Sequence, residues 1–439
     1  MSEVTVVGGG LAGCETAWQL ADRGVAVRLY EMRPHTPTGA HRGADLGEIV
    51  CSNSFKSTLP ETASGLLKAE LDVLGCRLLR VARASAVPAG HALGVDRELF
   101  ARAVTDAVAS HPRVTVVRER VDSLDLPTPA VLATGPLTAA GLSEALRAHC
   151  SADHLYFYDA IAPSIDADTI DPDAGFWASR YGKGEADYLN IPLDEAAYGA
   201  LMERIRAAEC VEPHAFEEAR YFEACLPIEV IAERGEHTLR HGPLKPKGLV
   251  DPRTGREAYA VIQLRRESRR GSLMGLVGFQ TRMKWPEQKA MIRSIPGLER
   301  VEVLRYGSIH RNMFLDMPRI CERYLHDRRR GGLYYAGQIC GVEGYVESIM
   351  SGIIVALSVL AARQGQTFPP LPEGTMIAAL MEYVHTPARR FQPMNANMGL
   401  LPRGAARAPG GRRERHAAAA ECALRRMRDW REAHAWLFA

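Results

Sequence analysis

The sequence lacks the features of a disulfide-bonded secreted domain or a zinc protein. Its nine cysteines are an odd number in a chain of 439 residues, and none of them forms a CxxC or a cysteine–histidine ligand cluster. A disulfide framework, a structural zinc site and any other metal site are therefore not expected. Reduced thiols in a cytoplasmic protein fit this pattern better.

Long hydrophobic runs are also missing. The longest, residues 349–362, is interrupted by serine and glycine. It is shorter than the about 20 apolar residues that a membrane-spanning helix needs. A strand pattern already begins at Val4, so no signal peptide is expected before the fold. We therefore expect a cytoplasmic protein without membrane contact.

An excess of charge of one sign is absent as well. The formal net charge is +2, with 46% hydrophobic and 24% charged residues, as in ordinary soluble globular proteins. A nucleic-acid partner would therefore need a local basic patch. Arginines cluster at 265–266, 269–270, 328–330 and 412–415, and the sequence does not select among these clusters.

The strongest motif is a glycine-rich turn between a strand and a helix. A β-branched run at residues 4–7 leads into Gly8, Gly9, Gly10, Leu11, Ala12 and Gly13. The glycines would let the backbone approach a pyrophosphate, whose charge the helix N-terminus would meet. Glu31 ends the next strand pattern, where it can accept from ribose hydroxyls and disfavour a 2′-phosphate. The context predicts a Rossmann-type βαβ unit that binds a dinucleotide.

Two later segments favour FAD over NAD as that dinucleotide. Residues 133–135 and 335–338 each end a strand pattern at a glycine. Flavoproteins of the two-dinucleotide-binding type return the chain to the cofactor at such places. No second glycine motif of the first kind is visible, so a nicotinamide reductant would have to bind transiently.

The order of the patterns predicts an α/β fold in several parts. Aromatic and charged residues increase in the middle of the chain, where alternating strands predict an inserted, mostly antiparallel α+β domain. A glycine-punctuated helix is expected over 344–362 and a basic helix from Arg413. We predict a Rossmann-type FAD-binding domain in two parts, residues 1–150 and 311–400. An inserted α+β domain is predicted at 151–310, and a basic C-terminal segment at 401–439.

Two cysteines stand out by their surroundings. Cys51 follows the second strand in a polar turn, and Cys225 lies in a stretch rich in aromatic and acidic residues that ends at Pro227. A thiol is a useful nucleophile only as a thiolate, in an exposed and electropositive setting. An ordinary cysteine is more often a small buried apolar residue.

These motifs together resemble the TrmFO family of bacterial folate- and FAD-dependent tRNA (uracil-5-)-methyltransferases. The similarity runs in order through nearly the whole chain, which a flavoprotein fingerprint alone would not do. The matching segments are 8–13, 31–34, 48–54, 95–97, 222–227, 242–251, 278–281, 284–289, 305–307, 310–312, 336–338, 341–348 and 391–394.

The resemblance implies a reaction: methylation at C5 of the T-loop uridine, position 54 of tRNA, to 5-methyluridine (ribothymidine). The one-carbon unit would come from 5,10-methylenetetrahydrofolate, with FAD and NAD(P)H supplying electrons. Uracil C5 is a poor nucleophile until a thiolate adds at C6, and a base must then remove the C5 proton. The resemblance implies Cys225 as that thiolate and Cys51 as its partner and proton acceptor; the reverse assignment stays open.

The resemblance also implies further site residues. His310 would cover the pterin ring of the folate, since planar rings stack on rings, with Arg311 and Asn312 beside it. The cofactor would be contacted, besides the glycine turn and Glu31, by Met32, Arg33, Gly337, Gln338 and Tyr345. No stable protein partner is implied, and the oligomeric state and the preferred nicotinamide stay open.

Two alternatives remain. Another flavin-dependent tRNA-uridine modifier of the MnmG type has a similar glycine turn, but the contexts of Cys51 and Cys225 and the length of the chain oppose it. A small-molecule flavin oxidoreductase would need no paired cysteines and would not retain tRNA.

Overall fold

The structure is a computed structural model that describes residues 3–150, 155–182, 185–211, 226–389, 391–402 and 411–439. Within these ranges the side chains of residues 155–159 and 310–311 lie outside the description. Cys225 lies outside the described residues altogether.

The described strands and helices alternate in the first part of the chain and are mixed later. The strands are β1 (Val4–Val7), β2 (Val27–Tyr30), β3 (Ser54–Ser57), β4 (Ala86–Val87), β5 (Ala92–Val95), β6 (Val114–Val117), β7 (Ala130–Leu132), β8 (Leu155–Ala160), β9 (Ser164–Asp166), β10 (Phe176–Ala178), β11 (Tyr188–Leu193), β12 (Val250–Asp251), β13 (Arg256–Glu257), β14 (Ala260–Arg266), β15 (Leu273–Leu276), β16 (Val303–Arg305), β17 (Ile309–Phe314) and β18 (Leu333–Tyr335). The helices are α1 (Leu11–Asp22), α2 (Ala63–Val73), α3 (Arg77–Ala84), α4 (Arg97–Ala109), α5 (Ala140–Cys150), α6 (Glu195–Ala207), α7 (Ile228–Glu233), α8 (Thr238–His241), α9 (Trp285–Arg293), α10 (Met317–Ile320), α11 (Tyr345–Arg363), α12 (Met376–His385) and α13 (Arg412–Ala433).

A parallel sheet carries the glycine turn. Its strand order is β18-β7-β1-β2-β6, and every pair is parallel. All four residues of β1 are buried, as expected for a strand of a parallel sheet covered on both faces. The sheet, with α1 directly after β1, confirms the predicted Rossmann-type α/β fold.

A second sheet is built from the middle of the chain. Its order is β10-β11-β14-β15-β9-β16, and its pairs are antiparallel. Apolar residues of this sheet and of α6, α7 and α9 form a core separate from that of the parallel sheet. The antiparallel α+β unit expected there is thus present, whereas the residue boundaries given for the four parts of the chain stay predictions.

Helix α11 corrects one expectation. The helix confirms the prediction over 344–362, but it begins before the apolar run and ends after it. An 18-residue window of the helix has a mean hydropathy of 1.9 and is long and apolar enough to cross a membrane. The apolar run alone therefore understated the apolar length of this stretch. However, 78% of its apolar window is buried inside the protein, where it is a core helix packed against α1.

A close backbone contact fixes α11 against α1. A Cβ added to Gly352 would lie 2.5 Å from the carbonyl oxygen of Ala12. The Thr16 hydroxyl lies 3.0 Å from the Gly352 carbonyl oxygen, so a polar contact reinforces the approach. Both helices begin at the same cleft, and their packing therefore sets the geometry of that cleft.

We predict that Gly352→Ala destabilises the protein, because the added methyl group would force α11 away from α1, at a cost of about 1–3 kcal/mol. Gly199→Ala is the matched control: Gly199 lies inside α6 and has open space around its Cα, so alanine should stabilise by about 0.4–1 kcal/mol. Chemical denaturation of both variants measures the two effects. Equal free energies of unfolding would contradict the close-packing argument.

Candidate active site

The carboxyl ends of β1, β7 and β18 open on one cleft of about 370 Å³. Three chain segments that end these strands line it together, namely residues 8–12, 133–139 and 337–338. The sequence picked the same three segments by their glycines. The crevice beyond the carboxyl ends of strands is where doubly wound sheets bind ligands.

The glycine turn has the geometry that a pyrophosphate requires. Gly8 has a φ of +106°, and a Cβ there would lie 2.4 Å from the Ala133 carbonyl oxygen. A Cβ on Gly13 would lie 1.9 Å from the Gly8 carbonyl oxygen, so α1 packs directly on the turn. No side chain caps α1 at Gly10, and a Cβ there would meet nothing within 4 Å. Open space thus borders the first N–H groups of the helix, as at anion sites.

Glu31 holds the glycine turn through hydrogen bonds to backbone N–H groups. Its carboxylate accepts from the backbone N–H of Gly9 at 3.0 Å and from that of Arg33 at 2.9 Å. The Arg33 guanidinium pairs with Glu31 at 2.9 Å and with Glu48 at 2.8 Å. Burial raises the pKa of Glu31, but the hydrogen bonds and charge of Arg33 outweigh it and hold that pKa below its usual range. Glu31 is therefore a buried anion that the glycine turn and Arg33 share.

Cys51 lies in a tightly held turn at the cleft. Its backbone N–H donates to the Tyr345 hydroxyl at 2.8 Å, and that of Ser52 donates to the same oxygen at 3.0 Å. The thiol is half-buried and lies 3.9 Å from the Ala160 carbonyl oxygen. Tyr345 is the first residue of α11, so the helix that packs on α1 also positions the cysteine turn.

Arg97 holds the other side of the same turn. Its guanidinium donates to the carbonyl oxygens of Ile49 and Val50, both at 3.1 Å, and lies 3.5 Å from that of Cys51. Arg97 is buried, and its charge is balanced by Glu267 at 3.2 Å. The turn is thus fixed through its N–H groups on one side and its carbonyls on the other.

Glu267 connects this turn with the second sheet. It follows β14, accepts from the Ser164 hydroxyl at 2.8 Å, and is buried to 5% exposure. Arg265 on β14 donates to the Ser52 hydroxyl at 3.1 Å. Burial raises the pKa of Glu267, but the charges of Arg97 and Arg265 outweigh burial and hold that pKa below its usual range.

The remaining predicted residues divide into two groups. Some line the cleft, and these are Met32, Gly337, Gln338 and Asn312, whose contacts with cofactor or substrate stay predictions. For the others the structure gives no side-chain position: Cys225 lies outside the described residues, and so do the side chains of His310 and Arg311, whose backbones lie on β17.

Other cysteines offer a contrast to Cys51. Burial raises the pKa of Cys340 to about 12, and that of Cys14 also rises because of burial. Cys76, Cys150 and Cys321 are buried too. Within the described ranges, no group of three potential ligand side chains could hold a metal ion.

Sequence reasoning missed the network around Arg97. The sequence pointed to residues 95–97 only through the resemblance and to Arg265 only as part of an arginine cluster, and it gave no sign of Glu267. Arg97 and Glu267 are 170 residues apart, and no local pattern connects them. A hint was available in Asp96, a helix-capping residue that accepts from the N–H groups of Glu98 and Leu99 and so begins α4 at Arg97.

Comparison with known proteins gives a consistent result. The family model described as glucose inhibited division protein A matches residues 3–367. A methylenetetrahydrofolate--tRNA-(uracil-5-)-methyltransferase TrmFO of Rubrobacter xylanophilus is 51% identical over 433 residues, covering 97% of this chain and 96% of the relative. One from Heliobacterium modesticaldum is 48% identical over 400 residues, 91% of each chain.

Among solved structures, GidA of Aquifex aeolicus is similar in fold. The TM-score is 0.70 at 16% identity, over 98% of this chain and 73% of GidA. At this identity the likeness shows the fold alone. It confirms the α/β flavoprotein-type architecture predicted from the glycine turn.

We predict that Glu267→Gln costs about 3 kcal/mol at neutral pH, because it leaves the buried charge of Arg97 unbalanced. Glu267 has a lowered pKa in the folded protein, so its stabilising contribution is present above its usual pKa of 4.5 and is lost as the pH falls through the folded value. Unfolding measured from pH 7 to pH 3 should show the difference between wild type and variant shrinking below about pH 4.5. A difference that stays constant with pH would contradict the ion pair.

We predict that Glu31→Ala weakens retention of the dinucleotide, because the acceptor that holds Gly9 and Arg33 is lost. The expected loss is about 1–3 kcal/mol in binding free energy, measured as the dissociation constant of the flavin. Glu98→Ala, which removes an exposed carboxylate from α4, serves as the control. An unchanged affinity in Glu31→Ala would remove this residue from the cofactor site.

Proposed function

The chain belongs to the TrmFO family of methylenetetrahydrofolate--tRNA-(uracil-5-)-methyltransferases, and from this premise we propose that it methylates C5 of the T-loop uridine, position 54 of tRNA. The product is 5-methyluridine (ribothymidine), the one-carbon donor is 5,10-methylenetetrahydrofolate, and NAD(P)H is the reductant. The observation that carries this proposal is Cys51, a half-buried thiol fixed at the mouth of a dinucleotide cleft.

FAD fits the cleft. The uncapped N-terminus of α1 at Gly10 would hold its pyrophosphate, and Glu31 would accept from its ribose once a contact of Arg33 is released. Gly337 has a φ of +83°, and its N–H donates to Ser351 at 2.7 Å, so β18 turns sharply where it meets the cleft. Bound FAD supplies the two electrons that complete the transferred carbon as a methyl group.

Cys51 suits the role of proton acceptor. Its turn is fixed by Tyr345 on one side and Arg97 on the other, so the backbone that carries the thiol has a set position in the cleft. A base that removes a proton from C5 needs such a fixed position within reach of the substrate. Cys225 is then the nucleophile at C6, a role that rests on its position in the family pattern.

The folate and the tRNA would approach from the side of β17. Asn312 on this strand lines the cleft, and the family pattern places His310 over the pterin ring and Arg311 next to it. The three residues are consecutive on β17. We place the protein in the cytoplasm, without membrane contact and without a stable protein partner.

We predict that Cys225→Ala abolishes methylation while flavin content and tRNA affinity stay nearly unchanged. It should also fail to form a covalent adduct with tRNA that carries 5-fluorouridine, because the fluorine traps the thioether only after addition at C6. Cys51→Ala should still form the adduct and stall before proton removal. Gel shift under denaturing conditions and a methylation assay measure both.

Cys422→Ala provides the control, since this thiol lies on α13 and should leave activity intact. The circular dichroism of each variant must match wild type, because loss of a buried thiol can cost about 1 kcal/mol or more. An adduct that persists in Cys225→Ala and vanishes in Cys51→Ala would reverse the two roles. Full activity in both would refute the cysteine mechanism.

A further inference from the structure

Arg305 is a charged residue that has no polar partner among the described residues. It ends the edge strand β16 and is half-buried. Within the part of the chain that the structure describes, its guanidinium makes no hydrogen bond and no ion pair. Burial, followed by the like charges of Arg97 and Arg42, lowers the pKa of Arg305 to about 10. A half-buried cation repelled by its neighbours is unfavourable unless an anion joins it.

The acidic groups nearby are already engaged. Glu267 is shared between Arg97, at 3.2 Å, and the Arg265 charge. Glu48 pairs with Arg33 at 2.8 Å. Positive charge is therefore in excess at this point, although the chain as a whole is nearly neutral, with a net charge of +2.

The excess charge borders the cysteine turn. Arg97, which repels Arg305, lies with its guanidinium 3.5 Å from the carbonyl oxygen of Cys51. Arg42 reaches over the edge strand, with its guanidinium 3.5 Å from the carbonyl oxygen of Leu304. Only the Arg97 side chain would thus separate an anion held by Arg42 and Arg305 from the turn that carries Cys51.

We propose that Arg305 and Arg42 form a binding site for a backbone phosphate of the tRNA, next to the nucleotide that reacts. This inference rests on the proposed function and names the residues that bind its substrate. The planar guanidinium fork matches phosphate oxygens, and a phosphodiester keeps its charge at all physiological pH values. Such contacts position a nucleic acid without reading its sequence.

An exposed aromatic ring lies next to the end of the edge strand, which favours RNA as the ligand. Tyr306, next to Arg305 in sequence, stacks on Trp285 with ring centroids 5.3 Å apart and an interplanar angle of 14°. Trp285 is 64% exposed and Leu304 is 48% exposed. Exposed rings beside arginines are typical of surfaces that bind unpaired nucleotides.

The folate carboxylate is the competing anion. Arg42 and Arg305 are not among the described residues that line the cleft, whereas Asn312 and Tyr345 are. A small substrate bound in the cleft would therefore lie away from the two arginines. A tRNA is large enough to contact the cleft and the edge strand together, and this favours the phosphate.

The test compares Arg305→Gln and Arg305→Lys in the flavin-loaded protein, with Arg256→Gln as the control. Arg256 is an exposed arginine on the separate β12–β13 hairpin. The affinity for unmodified tRNA is measured between 50 and 200 mM salt, together with the KM for methylenetetrahydrofolate and the thermal midpoint. Loss of one phosphate contact should lower the slope of log affinity against log salt by about 0.7–0.9.

We expect this lower slope in Arg305→Gln and a wild-type slope in Arg305→Lys, because lysine keeps the charge although it lacks the fork. Arg256→Gln should behave like wild type, and the folate KM should stay unchanged. The thermal midpoint of Arg305→Gln should stay equal or rise, because a repelled charge is removed. A wild-type slope in Arg305→Gln, or a raised folate KM with unchanged tRNA affinity, would overturn the phosphate site. A wild-type protein that binds no tRNA would instead refute the proposed function.

Discussion

The buried pair of Arg97 and Glu267 joins the parts of this structure that matter for chemistry. Arg97 begins α4 and holds the carbonyls of the cysteine turn, whereas Glu267 directly follows β14 of the second sheet. Neither charge could be buried alone without a large cost, so each requires the other. The position of Cys51 therefore depends on how the antiparallel sheet docks, although the cysteine follows the parallel sheet in sequence.

A second constraint acts on the opposite side of the cleft. Helices α1 and α11 both begin there, and glycines let them approach each other and the turn after β1, as Gly352 and Gly13 show. Because α11 begins with Tyr345, the approach of the two helices also places the hydroxyl that binds the cysteine turn. The packing of α1 against α11 consequently sets the geometry of both ends of the cleft, the dinucleotide end and the cysteine end. A change in the spacing of the helices would be felt at both.

The sequence predicts features that arise from local geometry. The glycine turn, the strands that end at residues 133–135 and 335–338, and the acidic end of β2 each have a local steric or hydrogen-bonding cause. Long-range features were not predicted, because partners such as Arg97 and Glu267 are far apart in the chain. The helix expected over 344–362 is confirmed as α11, whereas its apolar length was underestimated, because serine and glycine do not interrupt a buried helix.

The arginines also show that a local sequence pattern does not reveal which side chains are free to bind an anion. Runs of arginine looked like the natural candidates for a nucleic-acid surface, yet several of their members serve the fold. Arg330 donates to the carbonyls of Leu124 and Leu126, and Arg269 donates to that of Ala84. Arg305 stands outside these runs and lacks such partners within the described segments of the chain. For binding an anion, the number of unsatisfied donors matters more than the density of positive residues, because a guanidinium already bonded to carbonyls has less to gain from a phosphate.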